Sequence, residues 1–202
     1  MSAEDNSVNI EDDKGRYHHG DLRAALVAEG MRQLAGSDAE HLSLREIARN
    51  VGVSPTAVYR HFPDKQALLM ALADEGGAML VRRQAEAQEA AGGGARGFEA
   101  TGRAYVRFAL DNPALFRLMT SRLGEGGECD DGPRPESGLG LLRSNIAALL
   151  PTGTGADMQR VHAVRSWATV HGLAMLMLDG QIAADEMLID HVVSTAGASV
   201  LR

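Results

Sequence analysis

The sequence predicts an all-α protein of about nine helices, with an N-terminal three-helix bundle followed by a larger C-terminal helical domain. Three observations carry that prediction. Apolar residues recur at three- and four-residue spacing in successive segments. Start and stop signals such as Ser54-Pro55, Pro63-Asp64 and Asn112-Pro113 cut the 202-residue chain into helix-length pieces. Two short helical patterns also meet at Gly52 with too few residues between them for anything but a tight turn. The expected division is a tail over 1–15, a bundle over 16–65 and the larger domain over 66–202.

Residues 1–13 carry five acidic groups and no basic ones, so the tail reads as a solvated segment. Tyr17-His18-His19-Gly20 precedes a helix capped by Asp21. The paired histidines are not read as metal ligands, because no Cys or Glu cluster stands at ligand spacing beside them. Over about 21–35 the residues Leu26, Val27, Gly30, Met31 and Leu34 form one buried stripe, and Gly36-Ser37-Asp38 ends the helix.

The stretch Ser43 to Lys65 can be read residue by residue. Leu44, Ile47, Ala48 and Val51 form a second stripe, with Ser43 as N-cap and Glu46 placed to complete a capping box. Gly52 stands where a left-handed residue ends a helix, and Ser54-Pro55 starts the next. Small Ala48 lets the two helices approach and Val58 plugs the angle between them, as in a helix-turn-helix. With Val58 and Phe62 turned inward, Thr56, Ala57, Tyr59, Arg60 and His61 face outward, together with Ser43, Arg45, Ser54 and Lys65 nearby. Hydroxyls and guanidiniums bond phosphates or base edges, free N–H groups at a helix start cap a phosphate, and small side chains meet thymine methyls. The outer face is poor in long base-reading side chains, so discrimination is expected to lean on phosphate positioning, methyl contacts and DNA shape. Spacing alone leaves open a helical hairpin that only fills a core.

Charge favours the nucleic-acid reading. The net charge is −7, yet residues 14–65 are net +2, while the segments on either side are −5 and −4. From Tyr17 to about Leu80, and above all in LSLREIARNVGVSPTAVYRHFPDKQALL, the chain resembles the N-terminal DNA-binding domain of the TetR family of bacterial transcriptional regulators.

A long helix is expected from Asp64 to about Ala90, with Leu68, Leu69, Leu72, Met79 and Leu80 inside. Gly76-Gly77 interrupts it. Each glycine costs about 1 kcal/mol against alanine in a helix interior, so the pair is either a hinge or a site of close packing. Gly92-Gly93-Gly94 marks a loop, and Phe98, Gly102, Tyr105 and Phe108 place a helix over 95–111. Asn112-Pro113 starts another through Leu123, apolar around Leu115, Phe116, Leu118 and Met119. Residues 124–138 read as a mobile Gly-, Pro- and acid-rich loop. It holds the single cysteine, Cys129, which cannot form an internal disulfide and is read as an ordinary loop thiol. A helix follows over 138–149 and a turn over 151–155.

The last two helices are expected over 156–180 and 185–201. Val164, Trp167, His171, Met175 and Leu178 make one stripe, and Ala168 and Gly172 leave room for close helix contact. Leu188, Ile189, Val192, Val193, Ala196 and Val200 make a stripe wide enough for two partners. Paired across a two-fold axis these helices would form a four-helix homodimer interface, with Leu173, Leu176, Leu188, Val192, Ala196 and Ser199 in it. Packing within one chain explains part of the same pattern. Trp167, His171 and Gly172, with the NPALFRLM segment, resemble the C-terminal domain of a TetR subgroup named for its Trp-His-Gly signature. That resemblance implies a helical ligand-binding and dimerisation domain.

The expected protein is therefore a dimeric regulator that binds a palindromic operator in double-stranded DNA. Repression is carried over from the resemblance, and activators occur in the family too. Met79, Phe98, Tyr105, Phe108, Phe116, Met119, Trp167, His171 and Met175 are the expected pocket lining, for a small hydrophobic or amphipathic effector of unknown identity. His171 reads equally well as a satisfied core residue. No cofactor or metal is expected. Nothing resembles a membrane span or a secretory leader, so a cytoplasmic protein is expected. A DNA-binding dimer without a ligand is the alternative. An enzyme is set aside for want of a nucleophile elbow, metal-ligand cluster, phosphate loop or paired carboxylates.

Overall fold

In the computed structural model, residues 22–122 and 137–200 are described, and among them every regular element is a helix. The acidic tail, the His18-His19 pair, the Asp21 cap and the loop carrying Cys129 lie outside the described residues, as do the side chains of Ala196 and Ser199. Among the described residues no helix is long and apolar enough to cross a membrane.

Helix α1 (Leu22–Leu34) buries Leu26, Gly30 and Leu34 on one stripe. Gly30 is small for a reason: a Cβ there would lie 3.0 Å from Leu72 Cδ2. A single 3-10 turn, Ala39–His41, follows, which no periodicity announces. Helix α2 (Leu44–Val51) ends at Gly52, whose φ of 80° places it in the left-handed region that favours glycine. Helix α3 (Pro55–Tyr59) starts on Ser54, whose side chain accepts from the Ala57 N–H at 3.3 Å. The expected capping box is not made. Ser43 occupies the N-cap position but its side chain accepts no cap bond, and Glu46 turns instead to Arg49 at 3.1 Å.

Helix α4 (Lys65–Ala90) opens on Asp64, which accepts from the Ala67 N–H at 2.7 Å, and runs unbroken past both glycines. Gly76 is a packing site. A Cβ on it would lie 2.7 Å from Met119 Sδ and 2.8 Å from Leu115 Cδ1, whereas one on Gly77 would meet nothing within 4 Å. Helices α5 (Gly94–Asp111), α6 (Pro113–Arg122), α7 (Gly138–Leu149), α8 (Ala156–Leu178) and α9 (Glu186–Val200) complete the chain.

One apolar core runs from Leu26, Ile47, Val58 and Phe62 through Leu68 and Leu72 of α4 to Phe108, Phe116, Leu173, Ile189 and Val193. Each such side chain contributes about 1.5–3 kcal/mol on full burial. Helix α6 touches α4, α1 and the 3-10 turn, so the bundle and the larger helical layer share this core without a break. A second, small cluster of Phe98, Ile146 and Ala163 holds α7. Helix α9 is seated on α5 by Gly102, which brings Val193 close, and by Arg103, which donates to Asp190 at 2.7 Å.

Candidate nucleic-acid interface and helical core

The cations of the bundle differ in what they do. Arg23 lies over the Phe62 ring at 5.4 Å, Arg32 donates twice to Glu29, and Arg49 pairs with Glu46. Lys65 donates to the backbone carbonyl of Glu40, tying the start of α4 to the 3-10 turn. Its ammonium was expected to face DNA, and the structure gives it an internal acceptor because the turn ends beside it. Arg45 at the start of α2 and Arg60 at the end of α3 are exposed, and among the described residues neither meets an acceptor. Beside them Thr56, His61 and Ser54 are exposed, Tyr59 is 47% exposed, and Ser43 and Ala57 are half-buried. Two free guanidiniums and a row of hydroxyls on one helix-turn-helix form a surface with unused donors, which suits phosphates and base edges.

At the other end of the molecule α8 buries Ala163, Ser166, Leu173, Ala174 and Met177. The opposite face carries Met158, Val161, Val164, Ala168, Gly172 and Leu176 at helical spacing, and its larger side chains are exposed, Val164 by 53% and Leu176 by 41%. Two expectations are corrected. Val164 shares the helix line of Trp167 and His171, which follow three and seven residues on, yet it is 53% exposed, so the inner stripe is not covered along its whole length. Leu173 does not face a partner, since at 6% exposure it belongs to the chain's own core. Among the described residues a Cβ on Gly172 would meet nothing within 4 Å, and Ala168 is exposed, so the small pair seats no described neighbour. Leu188 is exposed and Val192 half-buried on the adjoining helix.

The expected pocket residues do not form one wall. Phe98 sits in the small α7 cluster, Phe108 is filled into the main core, and Met79, Met119 and Met175 are half-buried against it. Four residues do converge: Tyr105 meets Phe116 edge-on at 5.4 Å between ring centroids, and His171 lies 5.8 Å from Phe116 and 5.9 Å from Trp167. Trp167 Nε1–H donates to the Tyr105 hydroxyl at 3.3 Å, and that hydroxyl stands 3.0 Å from His171 Nδ1. The Tyr105 oxygen accepts the indole hydrogen bond, and the bond it shares with His171 Nδ1 runs in the direction that the imidazole tautomer sets. Burial pushes the Tyr105 phenol up to about 12 and the His171 imidazole below its usual range. Helical spacing picks out these aromatics but not the polar groups around them. Asn145 of α7 donates to Gln88 of α4 at 3.0 Å, and Gln84 donates to the Thr101 carbonyl at 3.2 Å. Nor does spacing reveal a cleft of about 60 Å³ between α7 and α8, lined by Leu139, Arg143, Ala163, Val164 and Trp167. It is far smaller than the roughly 300–1,000 Å³ of a small-molecule site.

An all-helical chain with a helix-turn-helix at one end and an amphipathic helical layer at the other belongs to the class of helical DNA-binding regulators. Residues 26–72 match the family model for bacterial regulatory proteins of the tetR family, and residues 98–196 match one for a tetracyclin repressor-like C-terminal domain. A Rhodococcus sp. RHA1 protein of unknown function is 33% identical over 92% of this chain and 96% of its own, with a TM-score of 0.71. A tetR-family transcriptional regulator from Streptomyces coelicolor shares the fold at 20% identity, covering 88% of this chain and 79% of that one, with a TM-score of 0.62. So does a structure described as the molecular basis for control of antibiotic production by bacterial hormones, at 20% identity, 92% and 100% coverage and a TM-score of 0.65. The chain belongs to the TetR family of bacterial regulators and carries that family's helix-turn-helix DNA-binding domain.

Proposed function

We propose that the protein is a homodimeric repressor that binds a palindromic operator and is released by a small hydrophobic or amphipathic effector. The observation that carries the DNA reading is the pair of guanidiniums, Arg45 and Arg60, free among the described residues on an exposed helix-turn-helix whose neighbouring cations are occupied internally. Two such heads, held by paired α8 and α9 helices, would reach successive major grooves about 34–36 Å apart or a multiple of that. The exposed apolar face of α8 supports the pairing, because a face of that kind is covered when a second copy packs on it. The aromatic cluster around His171 supports an effector of apolar body, and its Trp-His-Gly sequence supports placement in the subgroup named for it. An effector acts here only through its differential affinity for the DNA-bound and free forms.

In vitro selection of random duplex DNA by the protein tests the reading. A two-fold-related consensus is expected, and each of Arg45→Ala and Arg60→Ala should flatten the slope of log affinity against log salt by about 0.9 for every phosphate the variant no longer neutralises. No enriched sequence, or slopes unchanged in both variants, would overturn it. Melting curves taken against a library of apolar metabolites address the effector, since one that binds the folded form raises the melting temperature by mass action.

A further inference from the structure

Glu29, in the middle of α1, is the most heavily engaged carboxylate of the DNA-binding bundle. It accepts from Arg32 Nε and Nη2 at 2.7 Å each, from Gln33 Nε2 at 2.8 Å and from Asn50 Nδ2 at 2.7 Å. Its side chain is 12% accessible, so it is not placed to meet DNA, and it is an acceptor with no proton to offer a phosphate. Three of these four bonds stay within α1. The fourth crosses to α2 and grips Asn50, two residues before the Gly52 turn.

Leu26 of α1 and Leu44, Ile47 and Ala48 of α2 contribute apolar side chains to one core. Apolar packing restricts the rotation of the helices only to within about 15–20°, whereas a hydrogen bond sets both a distance and an angle. A short bond to a carboxylate is of the stronger kind. Placed at the C-terminal end of α2, it anchors the last turn of that helix on α1, just before the Gly52 turn from which α3 departs. Resting on the DNA-binding reading above, we infer that Glu29 and Asn50 are a positioning pair, which sets the angle of the recognition helix and so sharpens operator discrimination from outside the DNA interface. The hydrogen bond from Arg32, ahead of those from Asn50 and Gln33, holds the Glu29 carboxyl down to about 2, which keeps the acceptor ionised at any working pH.

The experiment compares the full-length dimer and its variants on two duplexes, the consensus selected by the wild type and a scrambled one. Asn50→Ala should weaken operator binding by about 5- to 10-fold, the size of one ordinary intramolecular hydrogen bond, and leave the scrambled duplex within about twofold. Glu29→Ala should lose as much on the operator while scrambled-duplex affinity holds or rises, because Arg32 is released. The double variant should be no worse than either single one, since both remove the same bond. Glu29→Gln, which keeps an acceptor for Asn50, should recover most of the loss. Equal losses on both duplexes would assign Asn50 a direct phosphate contact and overturn the pair, as would additive losses. Should Glu29→Ala melt below the assay temperature, Asn50→Ala carries the test, its side chain being exposed. A wild type that selects no sequence would overturn the DNA reading itself, and the pair with it.

Discussion

The two adjacent glycines of α4 should respond to alanine with opposite signs. Both lie in a helix interior, where alanine is favoured over glycine by about 1 kcal/mol. A methyl on Gly77 would have nothing within 4 Å, so Gly77→Ala should realise that gain in full. At Gly76 the methyl would stand 2.7 Å from Met119 Sδ, 2.8 Å from Leu115 Cδ1 and 3.0 Å from Leu115 Cγ. The methionine sulfur can swing aside, but Leu115 is 5% exposed in the shared core and can yield only if α6 moves. Overpacking of that kind costs about 1–3 kcal/mol, which outweighs the propensity gain over most of the range. In a domain of this size 1 kcal/mol corresponds to about 2–4 °C. Melting at fixed protein concentration should therefore raise Gly77→Ala by a few degrees and lower Gly76→Ala by a similar amount. Equal stabilisation of both would refute the close seating of α6 on α4 and restore a plain hinge. A clean test of hinging uses Gly77→Ala alone, since the double variant would confound stiffness with a clash.

Four more outcomes follow from the core and the outer face. Tyr105→Phe leaves the Trp167 N–H and His171 Nδ1 without their shared partner, so urea unfolding should show a loss of about 1–2 kcal/mol. In the wild type, an alkaline absorbance titration should find one of the three tyrosines still protonated at a pH where ordinary phenols have ionised, because Tyr105 is raised to about 12. His171 has its folded value depressed by burial, so the folded state binds fewer protons than the unfolded one as pH falls through the usual 6.5. Its contribution is intact above that value and is lost below it. Urea midpoints should thus drop between neutral and mildly acidic pH, and His171→Asn, which offers Tyr105 an acceptor that does not titrate, should flatten that limb. On the homodimer proposed above, Val164→Glu and Leu176→Glu on α8 should halve the mass seen by sedimentation while the helical circular dichroism is unchanged; an unchanged mass would overturn pairing through this face.

Helices and their ends were legible because they depend on neighbours a few residues away. Gly52, Ser54-Pro55, Asp64 and Asn112-Pro113 act through sterics and local hydrogen bonds, so position in sequence was enough to place the starts of α2, α3, α4 and α6 within a residue or two, although α3 ends at Tyr59, short of Phe62. Ser43 and Glu46 failed as a reciprocal cap for the opposite reason. A capping box is one of two local options open to a glutamate at that position, and Arg49 three residues later supplied the other. The 3-10 turn at Ala39–His41 was invisible because three residues carry no period.

The site was less legible, since it depends on which helix meets which. On α8 the apolar residues spread over more than one face, and periodicity alone could not say which face the chain covers for itself. The core turned out to take Leu173, Ala174 and Met177, leaving Val164 and Leu176 outside. The polar contacts were hidden more deeply still. Nothing in the spacing of Glu29 and Asn50, or of Gln88 and Asn145, marks them as partners, because each pair is joined only by helix packing. Each of these two bonds adds a fixed distance and angle between helices that apolar packing orients less sharply. The apolar pattern therefore specifies that these helices associate, while the orientation that a DNA-reading head needs to match a groove rests on bonds such as that between Glu29 and Asn50.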